Sequence, residues 1–221
     1  MDIVLNGIEV RVLGCLIEKE MATPEYYPLS LNALTNACNQ KSNRNPVLVM
    51  DEQTVLKGLE VLRQKGLAAG INAPGERVTK YMHDMLSKLE LSKQETALIC
   101  ELMLRGPQTQ GELRSNAARL APFDSLNEVE ETLRSLMEYG PPLVMKLPRE
   151  AGKKESRYMH LFAGADAMPE TAPETAELPD MASGEKAGAS AAITELKDQV
   201  DSLKNQLEEL RREFDAFKKQ F

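Results

Sequence analysis

The chain writes nearly the same five residues twice, TKYMH at 79–83 and SRYMH at 156–160, and its two histidines, His83 and His160, both fall in these strings. The match extends upstream. VLKGLEVLRQKG (55–66) aligns with residues 129–140 at a constant offset of 74, through Val55/Val129, Leu59/Leu133, Leu62/Leu136 and Gly66/Gly140. GIEVRVLGCLI (7–17) aligns with KQETALICELM (93–103) at an offset of 86, through Glu9/Glu95, Val12/Leu98 and Leu16/Leu102. Offsets that drift between matching blocks mark insertions and deletions between fixed elements, as in a fold repeated within one chain.

Each copy reads the same way. Asn6 or Ser92 stands ready to N-cap a first helix, with Glu9 or Glu95 three residues on, the capping-box spacing. These helices are predicted near 7–20 and 92–105, and ALICELML is apolar almost all round, so it should be buried on several sides. A shorter helix follows, LSLNALTNAC or TQGELRSNAARL. A third, near 51–65 and 125–139, carries a one-sided apolar stripe and stops at Gly66 or Gly140. Then comes a hairpin: LAAGIN turns through APGE into RVTKYMH, and LVMKLP turns through REAGKK into SRYMHLF. Alternation predicts Tyr158, His160 and Phe162 on one face of the last strand, with Met159 and Leu161 on the other.

Three helices and a hairpin describe a winged helix-turn-helix. The expected fold class is therefore mainly α with small β-hairpins (α+β): two tandem winged helix-turn-helix domains, residues 1–88 and 89–162, plus a C-terminal coiled-coil helix. The histidines then hold homologous structural positions, because catalysis or metal binding would need further ligands at suitable spacing.

The strings RVLGCLIEKE, TPEYYPLSLNALTNACNQKSNRNPV, GELRS and KKESRYMHLF also resemble the YceH family of uncharacterised bacterial proteins, over most of residues 1–162. The resemblance implies a pair of winged-helix domains in a cytoplasmic bacterial protein. It implies no reaction and carries over no functional residues.

Beyond Phe162 the character changes. Residues 163–190 hold six acids against one lysine, are rich in Ala, Pro, Glu and Gly, and read as a disordered acidic linker. Residues 191–221 place apolar side chains at Ile193, Leu196, Val200, Leu203, Leu207, Leu210, Phe214 and Phe217, alternately three and four apart. That is a coiled-coil seam. The flanking positions Lys197, Lys204, Arg211 and Lys218 would repel one another in an antiparallel pair, so a parallel dimer is expected, with folding back onto the globular part as the alternative. The net charge of −7 comes mostly from this tail. The front is nearly neutral, so nucleic acid stays open as a partner.

The candidate DNA contacts follow from the fold. A winged helix lays its third helix in the major groove and its hairpin on the backbone. Gln53, Lys57 and Gln64 stand on the outer face of that helix in the first copy. Lys41, Asn43 and Arg44 lie in the loop before it, NQKSNRNP, and Arg77 and Lys80 on its hairpin. In the second copy Lys57 becomes Glu131 and Gln64 becomes Glu138, an acidic third helix that phosphates would repel. Only its hairpin, with Lys153, Lys154 and Arg157, is cationic. Two readings remain: a DNA-binding regulator, or a protein–protein scaffold with no direct DNA contact, in which NQKSNR is a structural loop whose amides cap helix ends.

No Gly-rich phosphate loop, Ser–His–Asp arrangement or metal-ligand spacing appears, so the chain is read as non-enzymatic, with no cofactor and no metal. Cys15, Cys38 and Cys100 are an odd set without paired spacing and point to reduced thiols in the cytoplasm. No segment is long enough to cross a bilayer, and the acidic start of MDIVLNGIEV is unlike a signal peptide.

Overall fold

The computed structural model describes residues 3–72, 78–150 and 152–163. Arg77, the acidic linker beyond Ala163 and the seam from Ile193 to Phe217 lie outside these residues.

Helix α1 (Gly7–Ala22) starts at a full capping box: the Asn6 side chain accepts from the backbone of Ile8 and Glu9, and Glu9 accepts from Asn6. The helix runs two residues past the expected end. Helix α5 (Lys93–Arg105) repeats the device with Ser92 and Glu95. Such caps satisfy backbone donors that the first turn leaves orphaned. Between them lie α2 (Leu31–Cys38), α3 (Glu52–Gln64, capped by Asp51), strands β2 (Ala68–Ile71) and β3 (Lys80–His83), and α4 (Met85–Leu89). After α5 come α6 (Gln110–Ala117), α7 (Leu126–Glu138), β4 (Val144–Lys146) and β5 (Tyr158–His160).

The order of three helices and two antiparallel strands thus occurs twice, and fine detail repeats with it. Asp84 N donates to Leu67 O at 2.9 Å, and Leu161 N donates to Leu143 O at 2.8 Å, at equivalent places in the two hairpins. The first sheet has a third, unanticipated strand, β1 (Leu29–Ser30), giving the order β1-β3-β2. In the second copy that strand shrinks to one bridge between Gln108 and Tyr158. The expected alternation at 158–162 does not divide the strand into inner and outer faces, since Tyr158, Met159 and Phe162 are all buried.

The two halves share one hydrophobic core. Helices α1 and α5 lie at its centre: every residue from Glu9 to Glu18 and from Thr96 to Leu104 is buried. They meet at Gly14, where an added Cβ would stand 2.9 Å from Leu104 Cδ2. Cys100 Sγ donates to Gly14 O at 3.4 Å. Gly14 and Cys100 are equivalent positions under the offset of 86, so like meets like, as in a two-fold pairing. The expected boundary at residue 88 falls inside α4. The ends of the described chain are joined as well, Leu5 N donating to Phe162 O at 2.6 Å.

Candidate functional site

Helix α3 divides cleanly. Val55, Gly58, Leu59 and Leu62 are buried, while Gln53, Lys57, Glu60 and Gln64 form an exposed stripe at spacings of four, three and four. A helix locked on one side and open along such a stripe is a geometry that a groove of duplex DNA accepts. Lys41 is exposed in the preceding loop, and Lys153 and Lys154 are exposed in the turn between β4 and β5. Lys80 is half-buried on β3, opposite Ser30 and Ile71. Arg157 is half-buried and lies 3.7 Å from Glu150.

The loop over 39–46 differs from the expectation of a phosphate-contacting segment. Arg44 is withdrawn from solvent: its guanidinium forks onto Glu18, with Nη1 to Oε1 at 3.0 Å and Nη2 to Oε2 at 2.5 Å, and Nη2 also donates to the Ala37 carbonyl at 2.9 Å. Both side chains are essentially inaccessible, so the Arg44 guanidinium is not presented at the surface. A carboxylate in the core demands such a partner, and this arginine meets it. Asn43 is likewise committed, its Oδ1 accepting from Arg105 Nη2. Asn45 N donates to Leu104 O at 2.8 Å and its side chain to Arg105 O at 3.3 Å, capping the end of α5. Asn39 exchanges two 2.8 Å bonds with the backbone of Met50. The loop therefore ties the front half to the back half. Lys65, at the end of α3, pairs with Glu9 at 2.7 Å and is also withdrawn from the open face.

The ion pairs extend into a chain. Arg119 Nη2 reaches Glu18 Oε1 at 2.6 Å and Glu101 Oε1 at 3.0 Å, and Glu101 Oε2 lies 2.7 Å from Arg105 Nε. Arg44, Glu18, Arg119, Glu101 and Arg105 thus alternate in sign across the α1–α5 contact. Burial alone would raise the Glu18 carboxyl, but hydrogen bonds from Arg44 and Arg119 overcome it and hold it below its ordinary value. At Glu101 burial prevails over Arg119 and Arg105, and the carboxyl is raised. Sequence reasoning missed Glu18, Glu101 and Arg119. One signal was present: each glutamate is a charge embedded in an apolar helical run, LGCLIE or ALICE.

The histidines occupy equivalent registers, His83 opposite Ala68 and His160 opposite Val144. His83 Nε2 lies 2.6 Å from Glu20 Oε2, and its Nδ1 accepts from Met85 N at 3.3 Å. In the second half the position equivalent to Glu20 is Gly106, and His160 Nδ1 is sealed without a partner. Burial brings its pKa down to about 4. All three cysteines, Cys15, Cys38 and Cys100, are buried and free. Among the described residues no helix is long and apolar enough to cross a membrane.

The structure defines a mixed class, helices joined to small antiparallel sheets around one core. Comparison with known proteins gives the family. Residues 5–153 match the family described as Protein of unknown function, DUF480. The chain is 55% identical over 224 residues to a UPF0502 protein of Pelobacter propionicus, with all of both chains covered. It is 52% identical over 225 residues to one from Geobacter sulfurreducens, again with both fully covered. It is 54% identical over 175 residues to one from Koribacter versatilis, covering 79% of this chain and 81% of the relative. The chain belongs to this UPF0502/YceH family of bacterial proteins, as the strings quoted above imply.

Proposed function

We propose that the protein is a non-enzymatic, cytoplasmic DNA-binding regulator built from two tandem winged-helix units, and that the first unit touches the duplex. The observation that carries this reading is the open stripe of α3, where Gln53, Lys57 and Gln64 face solvent on a helix whose other side is fixed in the core. Gln and Lys bear the donors and acceptors that read base edges and phosphates. Lys41 is exposed in the loop that precedes this helix, and Lys153 and Lys154 supply cations from the second hairpin turn. The α7 face carries Glu128, Glu130, Glu131 and Glu138 and stays off the phosphates. The seam from Ile193 to Phe217 pairs two chains, so that two α3 helices meet one duplex.

Fluorescence anisotropy with duplex DNA at two salt concentrations tests the first claim. Binding weakens steeply as salt rises. Lys41→Glu with Lys57→Glu lowers affinity on the order of tenfold or more while leaving the fold intact. Arg44 has no place in that test, because reversing it would break the core. Absence of binding at low salt discards the DNA reading and leaves a scaffold whose acidic α7 face grips a protein partner. Light scattering tests the pairing: the full chain is a dimer, and a chain ending at Phe162 is a monomer.

A further inference from the structure

A cavity of about 390 Å³ opens where the two ends of the described chain come together. Its walls are contributed by both halves: Val4 from the N-terminal segment, Leu89 from α4, Tyr139 and Leu143 from the stretch after α7, and Phe162 beyond β5. That size and an apolar lining with few polar groups are typical of small-molecule sites. The Tyr139 hydroxyl is already engaged, donating to the Leu89 carbonyl at 3.2 Å. Lys88 also lines the cavity.

Lys88 is half-buried and donates to the backbone carbonyl of Lys65. That acceptor is neutral, and among the described residues no carboxylate pairs with Lys88. An ammonium has three donors and a full charge, and withdrawing it from water beside an apolar wall is costly without an anion. The neighbouring Lys65 has Glu9 as its partner at 2.7 Å, whereas Lys88 has no carboxylate partner among the described residues.

We propose that this cavity binds a small amphipathic carboxylate, with its apolar body against Val4, Leu89, Leu143 and Phe162 and its carboxylate on Lys88. Such a ligand supplies the anion that Lys88 lacks among the described residues and fills space that the two halves leave between them. It touches neither α3 nor the hairpin turns, so the proposal stands apart from the DNA reading.

The full-length protein titrated with octanoate, and separately with 1-octanol, provides the test, followed by amide NMR shifts of Leu143 and Phe162. Octanoate is expected to saturate and to bind on the order of tenfold tighter than octanol, the preference that a charge-assisted hydrogen bond supplies. Lys88→Met, which keeps the apolar stem, is expected to reduce octanoate to the level of octanol, and Lys88→Arg to retain the preference. Continued octanol binding by Lys88→Met shows that the cavity is still formed. Absence of a saturable shift with octanoate overturns the proposal, as does a carboxylate preference that survives Lys88→Met.

Discussion

Arg44 shows how far a single side chain is governed by surroundings that its own segment does not reveal. In NQKSNRNP it is one cation among small amides, the composition of a phosphate loop. In the folded chain it is the buried partner of Glu18. Arg44→Met leaves Glu18 in the core with Arg119 as its one remaining guanidinium, so the expected loss is about 3 kcal/mol, the lower end for a broken buried pair. Urea denaturation measures it, and a loss below ~1 kcal/mol would mean the pair is solvated. His160 yields a pH prediction. Its pKa is about 4 in the folded chain against 6.5 when exposed, so between those values the unfolded chain holds a proton that the folded one lacks. Stability contributed by the neutral imidazole is complete above pH ~6.5 and is lost as pH falls toward ~4, by at most about 3 kcal/mol. Burial also lowers the pKa of His83, against the pull of Glu20, and it adds in the same direction. His160→Leu should flatten that slope. Unfolding curves at several pH values, run for both proteins, would stay parallel if burial were not the cause.

Helices α1 and α5 owe their stability to contact rather than to propensity, since each is buried on nearly all sides. Their closest approach needs Gly14. Gly14→Val drives a branched side chain into Leu104 and Met103 and is expected to cost about 1–3 kcal/mol, read from the denaturation midpoint. Helix caps, helix ends to within three residues, and both hairpins were legible in the sequence, because they rest on local signals: a cap and its partner three residues on, a stripe, a glycine stop. Strand β1 and helix α4 were not legible. A two-residue strand has too little periodicity to show, and it exists because β3 offers an open edge beside it. The α3 stripe was legible as well, since its apolar positions alone determine which side remains outside.

At the scale of the whole molecule the two copies behave as one body, joined by a common core, by the loop from Asn39 to Pro46 and by the chain of charges from Arg44 to Arg105. A fragment of residues 1–88 leaves the α5-facing side of α1 uncovered and takes Arg119 away from the Glu18 carboxylate. Circular dichroism during heating is expected to show no cooperative transition for that fragment and a sharp one for residues 1–163; a sharp transition in both would show that each half has a sufficient core of its own. The amino-acid sequence by itself determined the repeat, the order of elements and the faces they bury, since apolar periodicity and capping act over a few residues. Tertiary structure alone decided which charges are available to a partner. Glu18 and Arg44 are 26 residues apart and Glu18 and Arg119 are 101 apart, so no local pattern records their pairing. Whether an arginine ends in water or in the core depends on where a distant carboxylate is brought, because the cost of an unpaired buried charge is met only there.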